Sequence, residues 1–179
     1  VVRLKGGDPF IFGRGGEEGE SLDSFGIEWE SIPGISSFYS VAESFKIPVT
    51  MRGEASSVHV ITAHEDPLKD KQSIDYGILA REEGTLVFLM GLSRIGRIAQ
   101  ALIEGGKDPE TPCAVVTNGT LPDQRCVTGP LKKIGEIAAD ADLKPPGILI
   151  VGEVTRRTQQ IPKGPLQGKK ILVTATKET

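Results

Sequence analysis

The first eighteen residues carry most of the chemistry that the sequence advertises. Glycines stand at positions 6, 7, 13, 15 and 16, an Asp-Pro step at Asp8-Pro9, and a Glu17-Glu18 pair follows at once. Glycine lets a backbone take positive φ and come close to a ligand. Asp-Pro sets a turn just past the apolar residues 1–4, and two acids suit the positive N-terminal end of a helix. The spacing is neither the dinucleotide G-x-G-x-x-G nor a P-loop, which would need Gly-Lys-Ser/Thr. What remains is either a plain turn or a ligand-contacting strand-to-helix loop in an α/β protein. Arg3, Lys5 and Arg14 add a local cluster of cations.

Composition narrows the alternatives. At 179 residues, 38% hydrophobic and 25% charged, the chain has the make-up of a globular protein of one large or two small domains. A net charge of −3 gives no bulk attraction to nucleic acid or acidic lipid. The apolar runs are far too short for a membrane span, and no signal-peptide pattern follows Arg3 and Lys5. Cys113 and Cys126 have neither a CxxC partner nor a neighbouring His, so they read as buried free thiols. His59 and His64, five apart in a strand-like stretch, should face opposite ways, so no metal site is expected.

Alternating short apolar strands and amphipathic helices must position these groups. Strands are expected over residues 1–4, 27–32, 58–62, 85–90, 113–117, 125–128 and 148–151. Helices are expected over residues 17–25, closed by Gly26, over 36–45, and over 131–141. The clearest helix follows Ser93 as N-cap, with Ile95, Ile98, Ala99, Leu102 and Ile103 on one stripe and Gly105-Gly106 as its stop. Residues 65–76 read as loop and helix start. Asn118-Gly119 reads as a loop, longer than a tight hairpin, between antiparallel strands. The aperiodic stretch 48–57 suggests a boundary, giving one unit over residues 1–50 and a second over 51–158. Residues 159–167 read as a linker before a new strand. With no initiator Met and residue 1 already inside a strand, the expectation is a piece of a longer protein.

The run Arg3-Leu4-Lys5-Gly6-Gly7-Asp8-Pro9-Phe10, followed by Phe12-Gly13-Arg14-Gly15-Gly16-Glu17-Glu18, resembles a loop of the uroporphyrinogen-III C-methyltransferases, class III S-adenosylmethionine-dependent enzymes. Four further segments agree in order. Ile32-Pro33-Gly34-Ile35-Ser36-Ser37 is similar to the family's PGI-T/S-A/S loop, and Val87-Phe88-Leu89-Met90-Gly91-Leu92 to its VFYMGL strand end. Val115-Val116-Thr117-Asn118-Gly119-Thr120 is similar to its ENGT loop, with Thr117 where an acid is usual, and Leu149-Ile150-Val151-Gly152-Glu153-Val154 to its IIVG-VV strand. Residues 165–178 are similar to the opening strand of uroporphyrinogen-III synthase domains, which some bacteria fuse to this methyltransferase.

The resemblance implies a two-domain tetrapyrrole methylase fold, here with a truncated N-terminal domain, holding S-adenosylmethionine in an interdomain cleft and leaving S-adenosylhomocysteine. Carried over position by position, it assigns the cofactor to Gly6, Gly7, Asp8, Ile11, Ser36, Ser37, Met90 and Gly119, with Ser36-Ser37 where Thr-Ala is usual. Asp8 could take the cofactor's amino group, and Met90 offers a polarisable surface to adenine or sulfonium. No metal is required, because a sulfonium already makes its methyl group electrophilic. The implied substrate is uroporphyrinogen III, with eight carboxylates, for which Arg3, Lys5, Arg14 and Arg52 are candidate partners. The implied reaction methylates ring carbons C2 and C7 to give precorrin-2 for sirohaem or cobalamin, in what is usually a cytoplasmic homodimer. The family's proton-transfer Asp and Lys, and its first cofactor loop, belong upstream of Val1, and Asp23 and Lys46 are not substitutes. No catalytic residue is therefore assigned, and the chain alone is expected to bind cofactor weakly or not at all and not to turn over. The alternatives are a class III methyltransferase for another corrin intermediate, and a non-catalytic cofactor-binding or structural module.

Overall fold

The computed structural model describes residues 1–63 and 74–159. The readings made for His64, for residues 65–73, and for the linker and synthase-like strand from residue 160 onward lie outside the described residues.

A mixed five-stranded sheet organises the chain. Its strands are β1 (Val58–Thr62), β2 (Thr85–Leu89), β3 (Pro112–Thr117), β4 (Arg125–Pro130) and β5 (Gly147–Val151), in the order β1-β2-β5-β3-β4. β1 and β2 run parallel, and every other neighbouring pair is antiparallel. Consequently the C-terminal ends of β2 and β3 and the N-terminal end of β5 meet at one edge of the sheet.

The two-residue alternation of strands divides the buried side chains between two faces. Leu86, Phe88, Cys113, Val115, Leu149 and Val151 face one way, toward α3 (Tyr76–Arg81), α4 (Ile95–Glu104) and α5 (Ile134–Asp140). Val87, Leu89, Ala114, Val116, Ile148 and Ile150 face the other, against α2 (Ser37–Glu43), Phe45, Ile47, Ala55 and Val154. β2 and β5 are covered on both sides, which is why they read as unbroken apolar runs. Each branched side chain so buried contributes about 1.5–3 kcal/mol of transfer free energy. Residues on both sides of the boundary expected at residue 50 share the second face.

α4 buries the expected stripe of Ile95, Ile98, Ala99 and Leu102. It stops in a Schellman motif: Gly106, at φ 104°, donates to Ile103 O while Lys107 donates to Leu102 O. Gly26 closes α1 (Gly15–Ser24) in the same way, with Ile27 donating to Leu22 O. Before α4 the chain makes one 3-10 turn (Leu92–Arg94), so Ser93 is not the N-cap. A similar turn (Leu131–Lys133) precedes α5. α3 begins at Tyr76, the last residue of the stretch read as loop and helix start, and the Asp75 carboxylate caps it by accepting from Ile78 N.

Two expected strands do not form. Residues 1–4 and 27–32 are irregular, with Val1, Val2, Leu4, Ile27 and Ile32 exposed. An apolar run becomes a strand only when another strand takes up its backbone N–H and C=O groups. Among the described residues, nothing pairs with either run. Residues 27–32 instead lie beside α1, where the Trp29 ring sits on Gly19 and Trp29 Nε1 donates to Asp23 Oδ1 at 2.9 Å. A Cβ on Gly19 would meet that ring at 2.3 Å.

Cys113 and Cys126 point to opposite faces of the sheet and are free thiols. Burial pushes both up to about 12. His59 lies within 3.3 Å of both Ser57 Oγ and Glu82 Oε2. No group of three or more His, Cys, Asp or Glu among the described residues could hold a metal. No described helix is long and apolar enough to cross a membrane.

Candidate functional site

The sheet edge where β2 and β3 end and β5 begins forms one wall of a cleft of about 720 Å³. Leu89-Met90, Asn118–Leu121 and Pro145–Ile148 supply that wall. The opposite wall comes from Gly6, Gly7, Ile11 and Phe12 together with Ile35, Ser37, Ser40 and Val41 around the start of α2. The volume lies in the range of about 300–1,000 Å³ common to small-molecule sites. Among the described residues the lining is apolar with a few hydroxyls and one amide, and none of its side chains is ionisable.

Backbone strain concentrates here. Seven described non-glycine residues have positive φ, and four of them, Phe12, Met90, Asn118 and Thr120, line the cleft at φ 49–72°. Side chains rarely adopt this conformation, and where it clusters it commonly serves a ligand. The loop after β3 is held in that shape by its own bonds. Asn118 N donates to Pro146 O at 3.1 Å, Asn118 Nδ2 to Asp123 Oδ2 at 2.7 Å, and Thr120 N to Gln124 Oε1 at 2.8 Å. Gly119 fits against α2 because it has no side chain: a Cβ there would stand 2.5 Å from Val41 Cγ1.

Six of the eight residues expected to meet a cofactor line this cleft: Gly6, Gly7, Ile11, Ser37, Met90 and Gly119. Ser36 does not. It is buried at the N-cap of α2, where its carbonyl accepts from Ser40 N and Ser40 Oγ. Asp8 lines an adjoining cavity of about 690 Å³, which shares Gly6, Ile11 and Phe12 with the cleft. Its carboxylate is engaged by backbone, Oδ1 accepting from Phe10 N at 2.9 Å and Oδ2 from Gly34 N at 3.0 Å. Those two bonds, the one from Gly34 foremost, hold its pKa below the usual value.

Arg3, Lys5 and Arg14 gather in this second cavity with Glu17 and Glu18. Lys5 Nζ lies 2.7 Å and Arg3 Nη2 3.6 Å from Glu18 Oε1, and Arg14 Nη2 lies 2.5 Å from Glu17 Oε2. The Lys5 ammonium lowers the pKa of Glu18, and the Arg14 guanidinium lowers that of Glu17. Three cations thus face three carboxylates, counting Asp8, and the cavity carries no formal net charge. The fourth expected cation stands apart. Arg52 is exposed in the turn closed by Met51 and Ala55 and lines neither cavity, because that turn belongs to the second-face core.

The sequence reading missed Phe12, Asn118 and Thr120, whose only signal would have been their place beside glycines in loops. It also missed Pro145-Pro146, a proline pair directly before a strand, whose peptide bond is cis.

The sequence matches the family of Tetrapyrrole (Corrin/Porphyrin) Methylases over residues 1–135. It is 49% identical over 154 residues to an S-adenosyl-L-methionine-dependent uroporphyrinogen III methyltransferase of Methanosarcina barkeri, covering 86% of this chain and 60% of that protein. It is 45% identical over 161 residues to a sirohaem synthase of Xylella fastidiosa, covering 90% of this chain and 33% of the relative. The chain therefore spans less than two thirds of the length of either. Among solved structures, the uroporphyrin-III C-methyl transferase of Thermus thermophilus complexed with S-adenyl homocysteine matches with a TM-score of 0.73 and 37% identity, over 87% of this chain and 67% of that one. A cobalt precorrin-4 methyltransferase at 22% identity and TM-score 0.77 shares the fold. Extent of match, identity and a shared fold agree, and the chain belongs to the tetrapyrrole methylase family.

Proposed function

We propose that this chain is a portion of a uroporphyrinogen-III C-methyltransferase, and that the 720 Å³ cleft receives the adenosyl group of S-adenosylmethionine. The observation that carries the reading is the meeting of Gly6, Gly7, Ile11 and Ser37 with Met90 and Gly119 around one strained, apolar cleft. Its size suits the cofactor, open glycine backbone can approach a ribose or amino acid group, and Met90 provides a polarisable wall. The cofactor would supply an electrophilic methyl group. The chain's residues would exclude water and hold donor and acceptor carbon in line.

The adjoining cavity is proposed for the carboxylates of uroporphyrinogen III, with Arg3, Lys5 and Arg14 as partners and Arg52 as an outlying one. Substrate carboxylates would have to take over from Glu17 and Glu18. The products would be S-adenosylhomocysteine and, after methylation at C2 and C7, precorrin-2. The resemblance puts the family's proton-transfer Asp and Lys ahead of the Gly6–Pro9 loop, and on that reading the chain alone is proposed to bind cofactor weakly or not at all and not to turn over. A homodimeric, cytoplasmic parent and a fusion to a synthase-like domain belong to the same proposal, the latter resting only on the likeness of residues 165–178.

Incubating the intact parent with uroporphyrinogen III and S-adenosylmethionine and weighing the product tests the activity. A gain of two methyl groups is expected. No gain on this substrate, with methylation of a later corrin intermediate, would assign the neighbouring activity instead, and no methylation of either would leave a binding module. Titrating substrate onto Arg3→Ala and Lys5→Ala parents tests the carboxylate partners, and unchanged affinity in both would retire them.

A further inference from the structure

Two loops from opposite ends of the N-terminal segment supply one wall of the cleft, and they touch backbone to backbone. Gly7, at φ 109°, passes directly under Gly34: a Cβ on Gly34 would lie 2.5 Å from Gly7 O and 2.8 Å from Gly7 C. The loop of residues 6–12 and the loop of residues 33–37 both continue into the lining, through Ile11 and Phe12 on one side and Ile35 and Ser37 on the other. Neither loop belongs to the sheet, so no ladder of hydrogen bonds fixes their crossing.

The Asp8 carboxylate spans that crossing. One oxygen closes its own loop by accepting from Phe10 N at 2.9 Å, and the other reaches across 26 residues to accept from Gly34 N at 3.0 Å. We propose that Asp8 is a positioning residue, a carboxylate clamp that locks the two cleft loops together, and that it does not bind the cofactor's ammonium group. The inference rests on reading the cleft as an adenosyl-cofactor site, and it replaces the direct contact that the sequence alone suggested. Asp8 lines the neighbouring charged cavity and not the cleft. Each oxygen already accepts from a backbone donor, so the influence of Asp8 on the cleft passes through Gly34 and Phe10.

Asn is the informative replacement at position 8. It keeps the shape but offers one acceptor oxygen and one NH2 donor, so one of the two backbone amides must face another donor. Asp8→Ala removes both acceptors. Amide hydrogen exchange on the full chain reads the clamp without any ligand. Protection at Gly34 or Phe10 should fall at least about tenfold in Asp8→Asn and at both in Asp8→Ala, while Val87 and Leu149 in the sheet keep theirs and so report an intact fold.

Titrations with S-adenosylhomocysteine and with 5′-methylthioadenosine, which lacks the amino acid group, then separate clamp from direct contact. The clamp predicts that Asp8→Asn weakens both ligands by the same factor, about five- to tenfold. Loss confined to S-adenosylhomocysteine, or unchanged exchange at Gly34 and Phe10 in Asp8→Ala, would overturn it. If the wild-type chain bound neither ligand, the cofactor reading of the cleft would fall, and the exchange measurement would still decide the clamp.

Discussion

Replacing Gly119 by alanine would set a Cβ 2.5 Å from Val41 Cγ1, 2.8 Å from Cγ2 and 2.9 Å from Cβ. Ordinary contact begins at 3.4 Å, so the loop after β3 and helix α2 would have to part by about 0.9 Å. Val41 packs on the second face of the sheet, beside Ala42 and Phe45, and cannot yield freely. Overpacking of this kind costs about 1–3 kcal/mol. The two parting elements are opposite walls of the cleft, so ligand binding should weaken along with stability. Val41→Ala removes the two nearest methyls and reduces the shortfall to about 0.5 Å, at a cost near 1 kcal/mol by itself. The double variant should therefore be more stable than the sum of the single losses predicts, by about 0.5–1 kcal/mol. Urea unfolding of the four proteins, read by far-ultraviolet circular dichroism, measures the cycle. Strict additivity, or a Gly119→Ala variant as stable as the wild type, would refute the contact between these walls.

Leu102 is fully buried between α4 and the sheet, and Leu102→Ala should cost about 2–5 kcal/mol in urea unfolding; a loss under about 1 kcal/mol would place it outside the core. The Cys113 thiol, pushed up to about 12 by burial from 9.0, stays neutral in the fold while the unfolded chain ionises. The unfolded state then holds fewer protons between about pH 9 and 12, so stability falls as pH rises through that window. Lys107, whose burial depresses its pKa, contributes the opposite slope, so the test is the difference between wild type and Cys113→Ala: the variant should lose less stability between pH 7 and 10. Asp8, held below 3.8 chiefly by the Gly34 bond, has the reverse sign from the thiol. Its contribution is present above the unfolded value and lost as pH falls through the folded one, so Gly34 amide protection should hold at pH 5 and drop only below about 3.8.

The core was legible because short unbroken apolar runs and a period-3.6 stripe report burial directly, and β2, β3, β5 and α4 form where they lie. Helix ends were legible at Gly26 and Gly106, where a left-handed residue is required. Residues 1–4 and 27–32 show where pattern reading stops, since apolar character marks a candidate strand and only a partner makes one. Arg52 shows a second limit. Residue type nominated it beside Arg3, Lys5 and Arg14, but the turn of residues 51–55 sets it apart. Asp8 shows a third: a motif names the residue, whereas its role depends on Gly34, 26 positions away. The left-handed conformations of Phe12, Met90 and Thr120 have no signature in residue type, whereas Asn118 is of a type enriched there.

The decisive measurement is a titration of the isotope-labelled full chain with S-adenosylhomocysteine to millimolar concentration, followed amide by amide in nuclear magnetic resonance spectra, a range that also captures weak binding. Shifts centred on Gly6, Gly7, Ile11, Ser37, Met90 and Gly119, saturating together with one dissociation constant, are the predicted result. Shifts elsewhere on the surface, or none at saturating ligand, would contradict the assignment of this cleft.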